Sequence, residues 1–316
     1  MVAVSSPSSL DARDRRALVA TAGQFFVNGA MTASFVARAP QLRDRIGVSI
    51  PGYGLLLTTA ALFGLLGSLV AGRIIHRAST RRVLQAGAVV MVVSLPVIGG
   101  ARSPAVWLIG MFAYVFVDVL VDISMNLQGS WISARRRTPV MHRLHGLWSL
   151  GTLVGGLGAV AANAAGMSTS AHLVVVAVVM AGVLAVVTRN LLPTDVDDHA
   201  DPVDEAAPRR TRLAPVLLLV MAGMFAVVAE VTGGDWATFR LTDDFGSSAA
   251  LGSLAFVAFT VGMTSMRFGG DLLQARLGRD VLHRLSLTLA ASGFVLAALV
   301  PNRAVSIVGF AVIGIG

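Results

Sequence analysis

Residues 44–49 read DRIGVS and residues 243–248 read DDFGSS. Gly47 aligns with Gly246 and Ser49 with Ser248, 199 positions apart in each case. Downstream, AGRIIHRASTRRV at 71–83 lies against GDLLQARLGRDVL at 270–282 at the same separation, with Arg77 over Arg276. Each match alone is weak. A single separation held across the length of a helix marks an internal repeat, and the segments around it are long apolar runs of the kind that cross bilayers.

Composition agrees with that reading. Hydrophobic residues make up 55% of the 316-residue chain and charged residues 13%, where a soluble domain carries about a quarter charged residues. The net charge is +8, but the basic residues fall between apolar runs, so an anionic bilayer surface rather than nucleic acid is the partner. There is no Cys, which removes disulfides, cysteine metal sites and thiol nucleophiles. All 25 basic residues are Arg, a bias that fits a GC-rich bacterial genome and a place in the bacterial cytoplasmic (inner) membrane.

With about 20 apolar residues needed per crossing, ten spans are predicted: 17–38, 52–75, 82–100, 104–128, 143–165, 171–191, 213–235, 248–270, 283–300 and 303–316. Alternate span ends divide the arginines unequally. Eighteen, among them Arg13, Arg15, Arg16, Arg135, Arg136 and Arg137, fall on one side; six, including Arg38, Arg43 and Arg240, fall on the other. Arginine is retained in the cytoplasm, so the N-terminus is expected inside. The stretch at 193–212, PTDVDDHADPVDEAAPRRTR, has no apolar run and reads as a solvated cytoplasmic linker.

The repeat unit contains six spans. Six is even, so both copies enter the membrane in the same sense, a parallel repeat about an axis along the membrane normal. An inverted repeat of five spans, as in the drug/metabolite transporter architecture, would recur after about 150 residues with opposite charge bias. The expected organisation is an all-α membrane protein: a six-helix bundle at 1–192, the linker at 193–212, and at 213–316 a second bundle holding about four spans. Two repeats of 199 residues would make a parent chain of about 398 residues, so a second bundle cut within span ten is expected.

The loop after span two carries a resemblance. It reads Gly72-Arg73-Ile74-Ile75-His76-Arg77-Ala78-Ser79-Thr80-Arg81-Arg82, and it resembles the Gly-X-X-X-Asp-Arg-X-Gly-X-Arg-Arg loop of the major facilitator superfamily. Three further stretches, NGAMTASFVARAPQLRDRIG, VDISMNLQGSW and HRLHGLWSLGTLVGG, are similar to bacterial sugar-permease-like members, including the fucose-permease branch. The resemblance implies a conformational latch at Gly72, Arg73, His76, Arg77, Arg81 and Arg82. The chain departs from the pattern at His76, where the family has Asp, and at Ser79, where it has Gly. At the repeated loop Ala275 takes the Asp position and Gly278 is kept. His76 would weaken the latch or make it pH-dependent, and the family's latch partner lies largely on an eleventh span.

Ionisable groups within spans mark function by default. Asp118, Asp122 and Asn126 recur every fourth residue on span four and so share one face. Two central carboxylates would cost about 5–7 kcal/mol against lipid, and two acids one turn apart repel and favour a shared proton. Interhelical polar contact is the plainer alternative. Gln24 and Asn28 share a face of span one, and the resemblance places Asn28 opposite Asp118 across a central cavity. Glu230 on span seven reads equally as a cavity acid or a packing residue, while Asp235 beside Trp236 reads as an interfacial pair. His145, with His142, could relay protons, although a solvated or lipid-facing His is more common near a cytoplasmic helix end. Trp148 could stack on a sugar ring or simply pack. Gly151, Gly155 and Gly158 read as close helix contact, and Arg267 could pair with Asp271 one turn on.

These residues lead to a secondary transporter of a small polar solute, such as a sugar or related metabolite, coupled to protons through Asp118 and Asp122 and working as a monomer by alternating access. A multidrug or metabolite exporter of the same fold is the nearest alternative, and a non-transporting sensor or scaffold is a third. The sequence holds no zinc-type HExxH and no clear nucleophile–base pair, so no catalytic residues, metal or cofactor are expected.

Overall fold

The structure, a computed structural model, describes residues 12–193 and 213–316. All but the first residue of the 193–212 linker lies outside the described residues, as do its arginines Arg209, Arg210 and Arg212. The described chain is helical throughout. Its helices are α1 (Ala12–Val36), α2 (Ala39–Ile46), α3 (Ile50–Ala78), α4 (Thr80–Gly100), α5 (Pro104–Arg136), α6 (Met141–Ala164), α7 (Thr169–Val187), α8 (Leu213–Phe239), α9 (Ala249–Leu277), α10 (Arg279–Leu299) and α11 (Arg303–Ile315). Eight of these are long and apolar enough to cross a bilayer; α11 is apolar but shorter, at 13 residues.

The repeat read from sequence is a repeat of helices. α3 and α9 each hold 29 residues, and α4 and α10 each hold 21. Their equivalent starts, Ile50 with Ala249 and Thr80 with Arg279, are 199 residues apart. The punctuation is shared too. Gly47 and Gly246 have φ of 72° and 59°, which a side chain would resist. Ser49 and Ser248 follow as N-caps, accepting from the amides of Gly52 and Leu251.

α1 is the exception to apolar spanning helices, and its position explains why. Thr21, Gln24, Asn28 and Ser34 are all buried on it, because α1 runs through the interior against α5, α6 and α7. It crosses α6 at backbone contact. A Cβ added to Gly29 would lie 2.2 Å from the Trp148 carbonyl oxygen, and one added to Gly151 would lie 2.0 Å from that of Phe26. Gly155 meets Ala30 in the same way, whereas Gly158 faces His172 on α7.

Two elements differ from the sequence expectation. The short α2, begun by Pro40 and ended at Gly47, stands where a loop was expected. α5 runs to Arg136, well past the expected end at 128, and its last turn is held by the Arg135 Nε donating to Asp14 at 2.9 Å.

The two halves meet along α6 and α9, from Asn163 near Ser253 to Gly146 beside Phe268, and further contacts join them at the end that the arginine distribution puts outside. Arg43 on α2 pairs with Asp44 at 2.6 Å and also with Asp243, beyond α8. Its guanidinium lies 5.4 Å from the Phe239 ring centroid, in a cluster with Tyr53, Trp107 and Trp236. Burial draws the Arg43 pKa down, and the bonds to Asp243 and Asp44 more than reverse it, leaving it above its ordinary value. Beside this cluster, α6 and α9 meet where Asn163 Nδ2 donates to Ser253 Oγ at 2.9 Å, and Ser253 Oγ donates to the Ala37 carbonyl at 2.6 Å.

Candidate functional site

The α1–α6 crossing fixes where Asn28 points. With backbones in contact at Gly29 and Gly151, the Asn28 side chain reaches both α5 and α6. Its Nδ2 donates to Asp118 Oδ1 at 2.6 Å, and its Oδ1 accepts from Trp148 Nε1 at 2.8 Å. Both ends of one amide are therefore used, in a site where an unmet polar group would be costly. A turn away, Thr32 and Tyr114 share a hydrogen bond of 2.9 Å across the same α1–α5 seam. The seam is antiparallel, so Asn28 and Thr32 on α1 meet Asp118 and Tyr114 on α5 in reverse order.

The network continues into the other half. The Arg267 guanidinium on α9 lies 5.2 Å from the centroid of a Trp148 ring. Its Nη1 donates to Ser149 Oγ at 2.9 Å and its Nη2 to Glu230 Oε1 on α8 at 3.1 Å. The Ser149 carbonyl in turn accepts from Thr264 Oγ1 at 3.2 Å. A continuous polar path thus runs Asp118, Asn28, Trp148, Arg267, Glu230. Arg267 pairs with Glu230; the expected partner Asp271 has its side chain outside the described residues. The pair bridges a helix–helix contact, from Arg267 on α9 to Glu230 on α8. Glu230 and Arg267 also line a cavity of about 770 Å³ bounded by α8, α9, α10 and α11.

The remaining expected residues sit around this path. Asp122 is exposed, one turn beyond Asp118, and accepts from Asn126 Nδ2 at 3.2 Å. The two aspartates thus have separate amide partners, Asn28 and Asn126. Gln24 is buried on α1 with its Oε1 unpartnered among the described residues. His145 packs edge-on against Phe25 at 5.3 Å and lies within electrostatic range of Asp122, Arg267 and Glu230. The loop group stands apart. Gly72, Arg73, His76, Arg77 and Arg82 are exposed, and Arg81 donates to the Arg189 carbonyl at 3.1 Å. Sequence reasoning missed Ser149, Thr32 and Tyr114. Tyr114 and Thr32 are each four residues from Asp118 and Asn28, so the spacing argument that singled out those two could have found their neighbours. Among the described residues, no group of three His, Asp or Glu side chains could hold a metal ion.

Two halves of parallel helical repeats, packed together along α6 and α9 and sharing a polar path at their interface, make a fold with known counterparts. Residues 20–316 match the Major Facilitator Superfamily. The chain belongs to the Major Facilitator Superfamily. Superfamily relatives include an uncharacterized transporter, y4wD, of Sinorhizobium fredii, 25% identical over 93% of this chain and 78% of its own length. An uncharacterized MFS-type transporter of Yersinia pestis is 25% identical over 94% of this chain and 76% of its own. The membrane protein MosC of Rhizobium meliloti is 26% identical over 95% of this chain and 72% of its own. Among solved structures, the nucleoside transporter NupG superposes with a TM-score of 0.67 at 10% identity, covering 96% of this chain and 79% of that one. That likeness is one of fold. The Major Facilitator Superfamily assignment makes this chain a transporter.

Proposed function

We propose that this transporter is a secondary carrier of a small polar solute, of the sugar or related-metabolite class, coupled to protons through Asp118 and Asp122. The observation that carries the reading is the path from Asp118 to Glu230. Asp118, Asn28 and Trp148 belong to the first half, and Arg267 and Glu230 to the second. In alternating access the halves rock about a site between them, so the step between Trp148 and Arg267 is the one that must open and re-form. A hydroxylated ring can enter there: its apolar face suits the indole, and its hydroxyls suit Asn28, Asp118 and the Arg267 guanidinium. The carrier sits in the bacterial cytoplasmic membrane with its N-terminus inside and works as a monomer.

Uptake into proteoliposomes under an imposed pH gradient tests this, with a panel of sugars, polyols and nucleosides. Accumulation of one of them is expected, along with loss of gradient-driven accumulation but retention of solute exchange when Asp118 and Asp122 are both replaced by Asn. Undiminished accumulation by that double variant would remove the coupling role. Expulsion of apolar amphiphiles with no polar solute taken up would favour an exporter.

A further inference from the structure

A buried positive charge lies away from this path, at the joined end of the two halves. Arg38 occupies the two-residue break between α1 and α2, and only 3% of its surface is exposed. Its Nη2 donates to the Met167 carbonyl at 2.8 Å, just beyond the end of α6. Its Nε and Nη1 are buried and have no hydrogen-bond partner among the described residues. No carboxylate among the described residues forms an ion pair with it. Burial alone draws its pKa down to about 10.

His172, in the first turn of α7, is 5% exposed and within electrostatic range of the same guanidinium. Its Nδ1 is also buried without a partner. The ends of α1 and α6 supply some negative potential nearby. A helix terminus is worth only about half an elementary charge, spread over several carbonyls, so it does not balance a guanidinium. A buried charge lacking a counter-ion is strongly unfavourable. Two buried side chains with three unmet nitrogens between them therefore make a place where an anion would be held strongly. The surroundings limit its size. The neighbouring cavity between α1, α6 and α7, about 420 Å³, has Ser34 and His172 as its polar side chains in an otherwise alkyl and glycine wall. Arg38 does not line that cavity, and its unmet nitrogens are enclosed, so an extended metabolite has no way to reach them, whereas an atomic ion needs only the guanidinium and the imidazole.

We propose that Arg38 and His172 form a binding site for a small monovalent inorganic anion of chloride size at the junction of the two halves. The neighbouring Ala37 carbonyl accepts from Ser253 of α9, so the ion sits one residue from a contact between halves and steadies the joined arrangement.

The test is thermal unfolding of the full chain in detergent, in sodium chloride, sodium bromide or sodium gluconate at matched ionic strength. Chloride and bromide are expected to raise the unfolding temperature saturably by several degrees, and gluconate is not. Arg38→Gln should abolish the difference, and His172→Gln should move its half-point to higher chloride. Because Arg38→Gln could disturb folding, equilibrium binding of radioactive chloride to the wild type and to His172→Gln provides the second reading, with weaker binding expected in the variant. Equal unfolding temperatures in chloride and gluconate for the folded wild type, or an undiminished chloride response in Arg38→Gln, would overturn the proposal.

Discussion

The hairpin α3–α4 and the hairpin α9–α10 have the same helix lengths, the same serine N-cap before the first helix and the same backbone bend between helices. Their chemistry differs. Position 267 is Arg on α9, bridging Ser149, Trp148 and Glu230; its equivalent on α3 is Ser68, whose hydroxyl only bonds back to the Leu65 carbonyl at 2.7 Å. At the turn, Gly278 has φ 80°, and its equivalent Ser79 has φ 81° with a side chain attached. The repeat thus preserves a backbone that membrane crossing demands and leaves the polar groups free to diverge. The proposed transport site draws on that divergence.

The largest expected difference lies at the position where the hairpins differ most. Arg267→Gln should lower apparent solute affinity by about 10–100-fold, the equivalent of losing a charge-assisted hydrogen bond of about 1.5–3 kcal/mol. Ser68→Ala should leave uptake unchanged. Equal effects from the two would sink the idea that only the second hairpin serves the site.

Next comes the turn. With φ 81° and ψ 146°, Ser79 occupies backbone space that is close to Gly-only and costs a side chain about 1–3 kcal/mol. Ser79→Gly should therefore raise the unfolding temperature and Gly278→Ala lower it. A Cβ at 278 meets nothing within 4 Å, so the change there is one of backbone preference rather than crowding.

The aspartates that Arg43 holds give a smaller contrast. Asp243 and its repeat equivalent Asp44 have side-chain exposures of 21% and 65%. Exposed pairs contribute about 0–1 kcal/mol, so Asp243→Asn should increase labelling of a cysteine placed behind Tyr53 more than Asp44→Asn does. Equal labelling would show that Arg43 does not join the halves. Smallest of all is Gly72→Ala, at an exposed position with open space around it, where stability should move by no more than about 0.5 kcal/mol.

Much of this was legible in the sequence because bilayers impose simple rules. Apolar length located the spans, and a constant separation located the repeat to the residue. Asp118 and Asn28 could be chosen because polar groups in a span need a reason to be there. The path between them could not be read in full. Arg267 and Glu230 are 37 residues apart on different helices, and only the packing of α8 on α9 brings them together. α2 was missed because eight residues with four polar or charged side chains give no apolar run, although Pro40 and Gly47 punctuate it clearly. Trp148 and Asn28 were each chosen for their own chemistry; their contact depended on two glycines that let helix backbones touch.

Arg43 shows what an inherited duplication can do for a moving part. The cation is shared between an anion on its own helix and that anion's counterpart from the other copy. On the proposed rocking of the halves, Asp243 would leave and Asp44 would stay, so the guanidinium would keep a partner. A clasp that keeps one partner through such a stroke would hold the resting and parted arrangements close in free energy, and a carrier that must visit both needs that near-balance more than it needs a tight lock.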